Sequence, residues 1–247
     1  MTKTKEKKVY LTKEEVNQHY AVSSWQQVAF SELEGMLMND ARPFPCVFGV
    51  SGFKTNQLRF SFLDDADGLD IDMLASALKE FLSNARSFGQ NTSLVVFSAP
   101  EAVLTLEQYE QRLWNTLRKL SDKDTQPWPA HIPHELDDEK WEFCFNGEPV
   151  FVVCNTPAHV QRQSRRGSVF TLTFQPRWVF DTILHTDRAA EASFNIVSER
   201  LLPYDMVPKS PTLSRYGKTG TREWKQYFLD DANIEPKCPF HSFRKDS

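Results

Sequence analysis

Apolar positions along this chain change their spacing several times, and each change marks an element. Thr12-Lys13-Glu14-Glu15 has capping-box spacing and predicts a helix start. Trp25, Val28, Ala29, Leu33, Met36 and Leu37 recur at three- and four-residue steps, which predicts an amphipathic helix ending near Asn39. Arg42-Pro43-Phe44-Pro45 breaks that helix. The short apolar run from Cys46 to Val50 predicts a buried strand. Leu58, Phe60 and Phe62 alternate with Arg59 and Ser61, which predicts a half-exposed strand. Helical spacing returns at Ile71, Leu74, Ala75, Leu78, Phe81, Leu82 and Ala85. Leu94 to Phe97 reads as a further buried strand. Thr105 with Gln108 makes a second capping box, ahead of Leu106, Tyr109, Leu113, Leu117 and Leu120.

Residues 121–140 form a polar, proline-containing loop. Trp141-Glu142-Phe143-Cys144-Phe145 alternates, Asn146-Gly147 follows, and Val150 to Cys154 is apolar. Asn-Gly supplies the positive φ angles of a tight type I′ turn, so this stretch predicts a β-hairpin. Val169 to Phe174 suits one more strand, and helices are expected at Trp178 to Leu184 and Ala189 to Leu201. From about residue 203 the chain reads as irregular, with one helical turn near Glu223 to Phe228. These elements predict an α+β fold, a mainly antiparallel sheet with helices packed on it; a doubly wound α/β sheet is the alternative. A single domain over residues 11–247, behind a mobile tail of residues 1–10, is expected.

Charge and composition narrow the partners. Lys plus Arg number 29 and Asp plus Glu 33, a net charge of -4, which speaks against nucleic acid as the main ligand. No apolar run approaches the roughly 20 residues of a membrane span. The basic start is not followed by an apolar run, so no signal peptide is expected and the cytoplasm is the expected compartment. The four cysteines should then be thiols. With 19 Phe, 6 Trp and 6 Tyr the chain can build a ring-rich core or line a large apolar cavity.

Glycine-rich phosphate loops, dinucleotide fingerprints and G-x-S-x-G elbows are missing from the sequence. His131, His134, Cys238 and His241 make a loose Cys/His set of zinc type, though its halves lie far apart in sequence. His159 stands apart from the other histidines. It lies in Asn155-Thr156-Pro157-Ala158-His159, just after the hairpin, with Arg162, Arg165 and Arg166 close behind. An imidazole at a strand end is rigidly held, as a metal ligand must be, and guanidinium groups suit carboxylates or phosphates. The bland reading of the same segment is a capping histidine beside a solvated basic turn. Glu142 points away from Trp141, Phe143 and Phe145 on its strand, toward either solvent or a pocket across the hairpin. Asp64-Asp65 and Asp230-Asp231 read as turn acids.

Several blocks together resemble the YqcI/YcgG family: Pro43-Phe44-Pro45-Cys46-Val47-Phe48-Gly49, Leu58-Arg59-Phe60, Trp141-Glu142-Phe143, Asn146-Gly147-Glu148-Pro149, the His159 segment with Arg162 and Ser164-Arg165, Gln175-Pro176-Arg177-Trp178, Glu223-Trp224-Lys225-Gln226-Tyr227 and Cys238-Pro239-Phe240. The resemblance runs through nearly the whole chain from about residue 25. Relatives in that family include haem-dependent N-hydroxylases of guanidino groups, of the guanitoxin-pathway and arginine types. The resemblance therefore implies haem b, dioxygen, an external electron donor and a small guanidino substrate such as arginine, with a homodimer allowed. Haem iron needs a strong axial ligand. His159 is the expected one, with His241 and Cys238 as alternatives. Arg162, Arg165 and Arg166 would pair with the propionates. Glu142 and Glu148 are the carboxylates expected to meet the substrate's guanidinium. A non-catalytic haem-binding or haem-sensing protein is the alternative function.

Overall fold

A computed structural model describes residues 8–64 and 70–236. At its centre lies a five-stranded sheet built from β1 (Arg59–Leu63), β2 (Leu94–Ser98), β3 (Cys144–Phe145), β4 (Glu148–Asn155) and β5 (Thr171–Pro176). The strand order is β1-β2-β5-β4-β3. β1 and β2 run parallel, while β2–β5, β5–β4 and β4–β3 are antiparallel, so the sheet is mixed and mainly antiparallel. The parallel pair needs a crossover. It is supplied by α4 (Ile71–Phe88), which is capped by Asp70 and buries Leu74, Leu78, Phe81 and Leu82 against the sheet.

Helices cover both sheet faces, because β2 is apolar on both. Leu94 and Val96 join a core with α4, α5 (Leu106–Lys123) and the hairpin. Val95 and Phe97 join a second core with α1 (Lys13–His19), α2 (Trp25–Leu37) and α3 (Val47–Lys54). Both capping boxes form as the spacing predicts, at Thr12 with Glu15 and at Thr105 with Gln108. The hairpin turn also forms, with Asn146 at φ 52 and Gly147 at φ 73. The remaining helices are α6 (Arg177–Ile183) and α7 (Asp187–Tyr204), giving one α+β domain.

Two elements differ from the sequence reading. Cys46 to Val50 is not a strand: the run opens α3, with Cys46 as its N-cap, its Sγ accepting from the Gly49 N–H at 3.4 Å. Four apolar residues fit a buried strand and a buried helical turn equally, and here the helix continues to Phe53 and Lys54. β1 is buried on both faces rather than half-exposed. Its outward Ser61 donates to the Val9 carbonyl at 2.8 Å, and Leu11 bridges to Phe60. Val9 and Tyr10, expected in a mobile tail, pack on the core, Tyr10 meeting Phe81 and Phe88 edge to face. Among the described residues, no helix is long and apolar enough to cross a membrane.

Candidate functional site

Residues 205–236 are largely irregular, as the sequence predicts, but they are not peripheral. A 3₁₀ turn at Glu223–Gln226 leads into a strap that runs beside β4, where the Cys154 N–H donates to the Tyr227 carbonyl at 3.0 Å. Tyr227 is wholly buried, and its hydroxyl accepts from the Phe143 N–H at 3.1 Å. Along this strap lie two buried polar clusters, one at Glu223 and one at Asp230-Asp231.

The first cluster joins the hairpin, α6 and the strap. Glu142, 0% exposed, is not on the solvent side of its strand. Its carboxylate receives Arg177 in a fork, from Nε at 2.7 Å and from Nη2 at 2.5 Å. Arg177 Nη2 also donates to Glu223 Oε1. The ring of Tyr216 lies over the guanidinium with its centroid 4.0 Å from Cζ, and the Phe180 ring lies at 5.1 Å. Tyr216 comes from the irregular 205–222 segment and is pinned by its hydroxyl, which donates to the Lys140 carbonyl at 2.6 Å. Arg177 and Glu223 are 8% and 5% exposed.

Two carboxylates and one guanidinium leave this cluster one negative charge in excess, in a dry place where charge is costly. Burial pushes both Glu142 and Glu223 above the usual carboxylate range, against the pull of Arg177. Arg177 itself is held above the usual arginine range: burial works against its charge, and the two carboxylates outweigh it. The guanidinium therefore stays charged between two carboxyls that burial makes reluctant to ionise. Glu223 Oε2 has no hydrogen-bond partner.

His159 heads the second cluster and is 0% exposed. Its Nε2 meets the Leu229 carbonyl at 2.9 Å and its Nδ1 meets Thr156 Oγ1 at 2.8 Å. A carbonyl only accepts, so Nε2 carries the proton and Nδ1 takes the threonine hydrogen. Burial pushes the imidazole down to about 4, so it is neutral at pH 7. The Asp231 carboxylate caps the following turn, accepting the N–H groups of Val160, Gln161 and Arg162 at 2.7, 2.8 and 2.8 Å. Despite some desolvation, these donors hold it below the usual carboxylate range. Asp230-Asp231, read from sequence as turn acids, thus anchor this cluster.

The arginines behind His159 divide. Arg162 is buried, donating from Nε to the Asp230 carbonyl at 2.8 Å and pairing with Asp205 at 3.5 Å. Arg165 is buried and donates to the Gln226 carbonyl at 3.2 Å; burial and the nearby Arg162 charge lower it to about 10. Arg166 stays exposed, donating to the His159 carbonyl at 3.3 Å. The basic turn is therefore an internal hub rather than a solvated surface.

The expected haem set does not fit this arrangement. Both ring nitrogens of His159 are committed, leaving no lone pair for an iron, and Arg162 is spent on the strap. Glu148 does not join Glu142: it opens β4 just after the hairpin turn, half-exposed, 3.6 Å from Arg86. Among the described residues no three His, Cys, Asp or Glu side chains form a metal-ligand group. His134 stacks on Trp128 instead. Cys238 and His241 lie outside the described residues. Cys46, Cys144 and Cys154 are free thiols. Arg177, Tyr216 and Glu223 are site residues that the sequence reading did not single out. The signal lay in the two resemblance blocks that contain Arg177 and Glu223.

The YqcI/YcgG family model matches residues 33–241. Two Bacillus subtilis (strain 168) proteins, "Uncharacterized protein YcgG" and "Uncharacterized protein YqcI", are each 42% identical over 222 residues. The alignments cover 87% of this chain and 88% and 87% of those relatives. A Streptomyces lavendulae protein named "Putative N(omega)-hydroxy-L-arginine synthase DcsA" is 32% identical over 228 residues, covering 89% of this chain and 85% of its own. No solved structure matches.

Proposed function

The chain belongs to the YqcI/YcgG family, and on that footing we propose that it is an enzyme that N-hydroxylates a small guanidino compound of arginine type. The observation that carries this reading is the Glu142–Arg177–Glu223 cluster. It is a buried cluster of carboxylates and rings that already grips one guanidinium and holds one more carboxyl than cation. Its support from relatives is the Streptomyces protein, named "Putative N(omega)-hydroxy-L-arginine synthase DcsA".

The net reaction replaces one guanidino N–H by N–OH. One atom of dioxygen enters the product, the other leaves as water, and an external donor supplies two electrons with two protons. Haem b is the group this reading calls on to activate dioxygen. His159, as it is bonded here, has no ring nitrogen free to hold the iron. What the chain's own residues supply is recognition. Carboxylates in a dry site bind a flat cation through paired N–H donors, and the Tyr216 and Phe180 rings favour the same cation through their π faces.

The test is to express the protein with a haem precursor and record its visible spectrum oxidised, reduced and with carbon monoxide. L-arginine, air and a reductant are then added, and the products are weighed by mass spectrometry. A Soret band at about one haem per chain and a product heavier by one oxygen are expected. A colourless protein that takes up no hemin and yields no such product overturns the reading; bound haem without product favours the non-catalytic alternative.

A further inference from the structure

The charges of the first cluster form a row that alternates and stops short. Glu142 is an acid, Arg177 a cation and Glu223 an acid, and each link is a direct hydrogen bond. Glu223 uses only Oε1 for Arg177; Oε2 is buried and bonded to nothing. A carboxylate oxygen in that state is either protonated or waiting for a donor. A fourth member, positive, would complete the row and neutralise it.

We propose that Glu223 Oε2 is the seat of the substrate's guanidinium, with Arg177 a fixed internal cation that orients Glu223 rather than a group the substrate displaces. The proposal rests on the guanidino reading above and names the residue that reading needs. Arg177 cannot be the vacated place, because its fork to Glu142 and its third bond to Glu223 hold it on two elements at once. A guanidinium suits Oε2 better than an ammonium does. It is the more weakly hydrated cation, so it loses less on entering a dry site. It is also flat, and Tyr216 shows that a ring can lie against a flat cation here, at 4.0 Å.

The same geometry indicates how the seat is reached. Tyr216 and Glu223 flank the end of the irregular segment, which is tied to the 136–140 loop by the Tyr216 hydroxyl and by the Gly220 N–H on Glu139 Oε1 at 2.6 Å. Arg222 adds pairs to Asp137 and Glu139. Of these partners Asp137 is exposed and Arg222 and Glu139 are partly exposed, and ion pairs reached by solvent are individually weak. Lifting this segment, which Gln226 also holds through the Ser214 carbonyl at 3.2 Å, would uncover Glu223.

The experiment compares L-arginine with L-citrulline, its uncharged near-isostere, by isothermal titration calorimetry on wild-type protein, Glu223→Gln and Asp72→Asn, a surface control on α4. Arginine is expected to bind wild type and the control equally. It should bind Glu223→Gln at least tenfold more weakly, because the amide presents an N–H where the cation comes. Citrulline should bind wild type at least tenfold more weakly than arginine. Should Glu223→Gln fail to fold, hydrogen exchange on wild type decides: arginine, and not citrulline, should slow the amides of residues 214–223. Equal arginine affinity in Glu223→Gln, or unchanged exchange at 214–223, overturns the seat. If wild type and Glu223→Gln both yield hydroxylated arginine with the same KM, the seat falls and the hydroxylase reading stands. If arginine binds through Glu223 and no hydroxylated product forms, the seat stands and the hydroxylase reading falls.

Discussion

Lowering the pH from 7 to 5 should weaken the fold through His159, and by an amount the structure sets. The imidazole is fully buried, neutral, and bonded through both nitrogens to the Leu229 carbonyl and the Thr156 hydroxyl. Burial, the larger effect, pulls it from an ordinary 6.5 to about 4. In that window the unfolded chain binds a proton that the folded chain refuses. The stability His159 contributes is therefore complete above pH 6.5, falls as pH drops, and is gone below pH 4. The whole span corresponds to about 3 kcal/mol, of which about 2 kcal/mol is lost between pH 7 and pH 5. Glu142 works the other way: a carboxyl raised by burial favours the fold at low pH and costs stability as pH rises. A wild-type curve alone therefore mixes the two, and the measurement must be a difference. His159→Gln keeps a donor and an acceptor and does not titrate. Urea unfolding followed by tryptophan fluorescence should show wild type more stable than this variant at pH 7 by about 1–2 kcal/mol, the worth of an imperfectly replaced buried hydrogen bond. At pH 5 that advantage should shrink by about 2 kcal/mol and vanish or reverse. Parallel stability lines for the two proteins from pH 7 to pH 5 would refute the placement of a neutral, doubly bonded imidazole at this position.

Arg177→Met leaves Glu142 and Glu223 buried without their cation and should cost about 3–5 kcal/mol at pH 7, read from urea midpoints, with the loss smaller at pH 5 where the carboxyls protonate. Asp231→Asn can no longer offer carboxylate oxygens to three N–H groups and should cost about 1–3 kcal/mol in the same assay. Gly52→Ala would drive a Cβ to within 2.2 Å of the Asn91 carbonyl oxygen, which is backbone and cannot turn aside. It should cost about 1–3 kcal/mol or abolish soluble expression. Gly147→Ala meets no atom within 4 Å but sits at φ +73, so it should cost only about 1 kcal/mol, seen as a small drop in Tm.

Legibility of this fold in its sequence tracks how local each signal is. Capping boxes at Thr12 and Thr105 and the Asn146-Gly147 turn are settled by residues within one turn of each other, and all three form as read. The 46–50 run failed because its deciding partners are remote. Gly52 packs against Asn91 and Phe53 against Phe30 and Phe60, contacts that no period in the run contains. Ser61 looked outward because nothing near it in sequence covers it; the cover is Val9, 52 positions away.

The site obeys the same rule more severely. Polarity in the 155–166 segment drew attention to His159 and its arginines, but polarity marks a hub as readily as a ligand set. What decides between them is the strap: Gln226, Leu229 and Asp230 offer backbone carbonyls to Arg165, His159 and Arg162. A carbonyl has no signature in a sequence, so a histidine committed to one looks the same as a free one. Glu142 was legible as a chemically odd residue because its strand neighbours are all apolar. Its partners were not, since Arg177 lies 35 positions on and Glu223 a further 46. Spacing shows where a charge must be buried; only the fold shows which charge answers it, and here the answer leaves one carboxylate oxygen over. Glu223 Oε2 lies in a stretch that composition reads as irregular tail, and that tail is the element joining both clusters to the sheet.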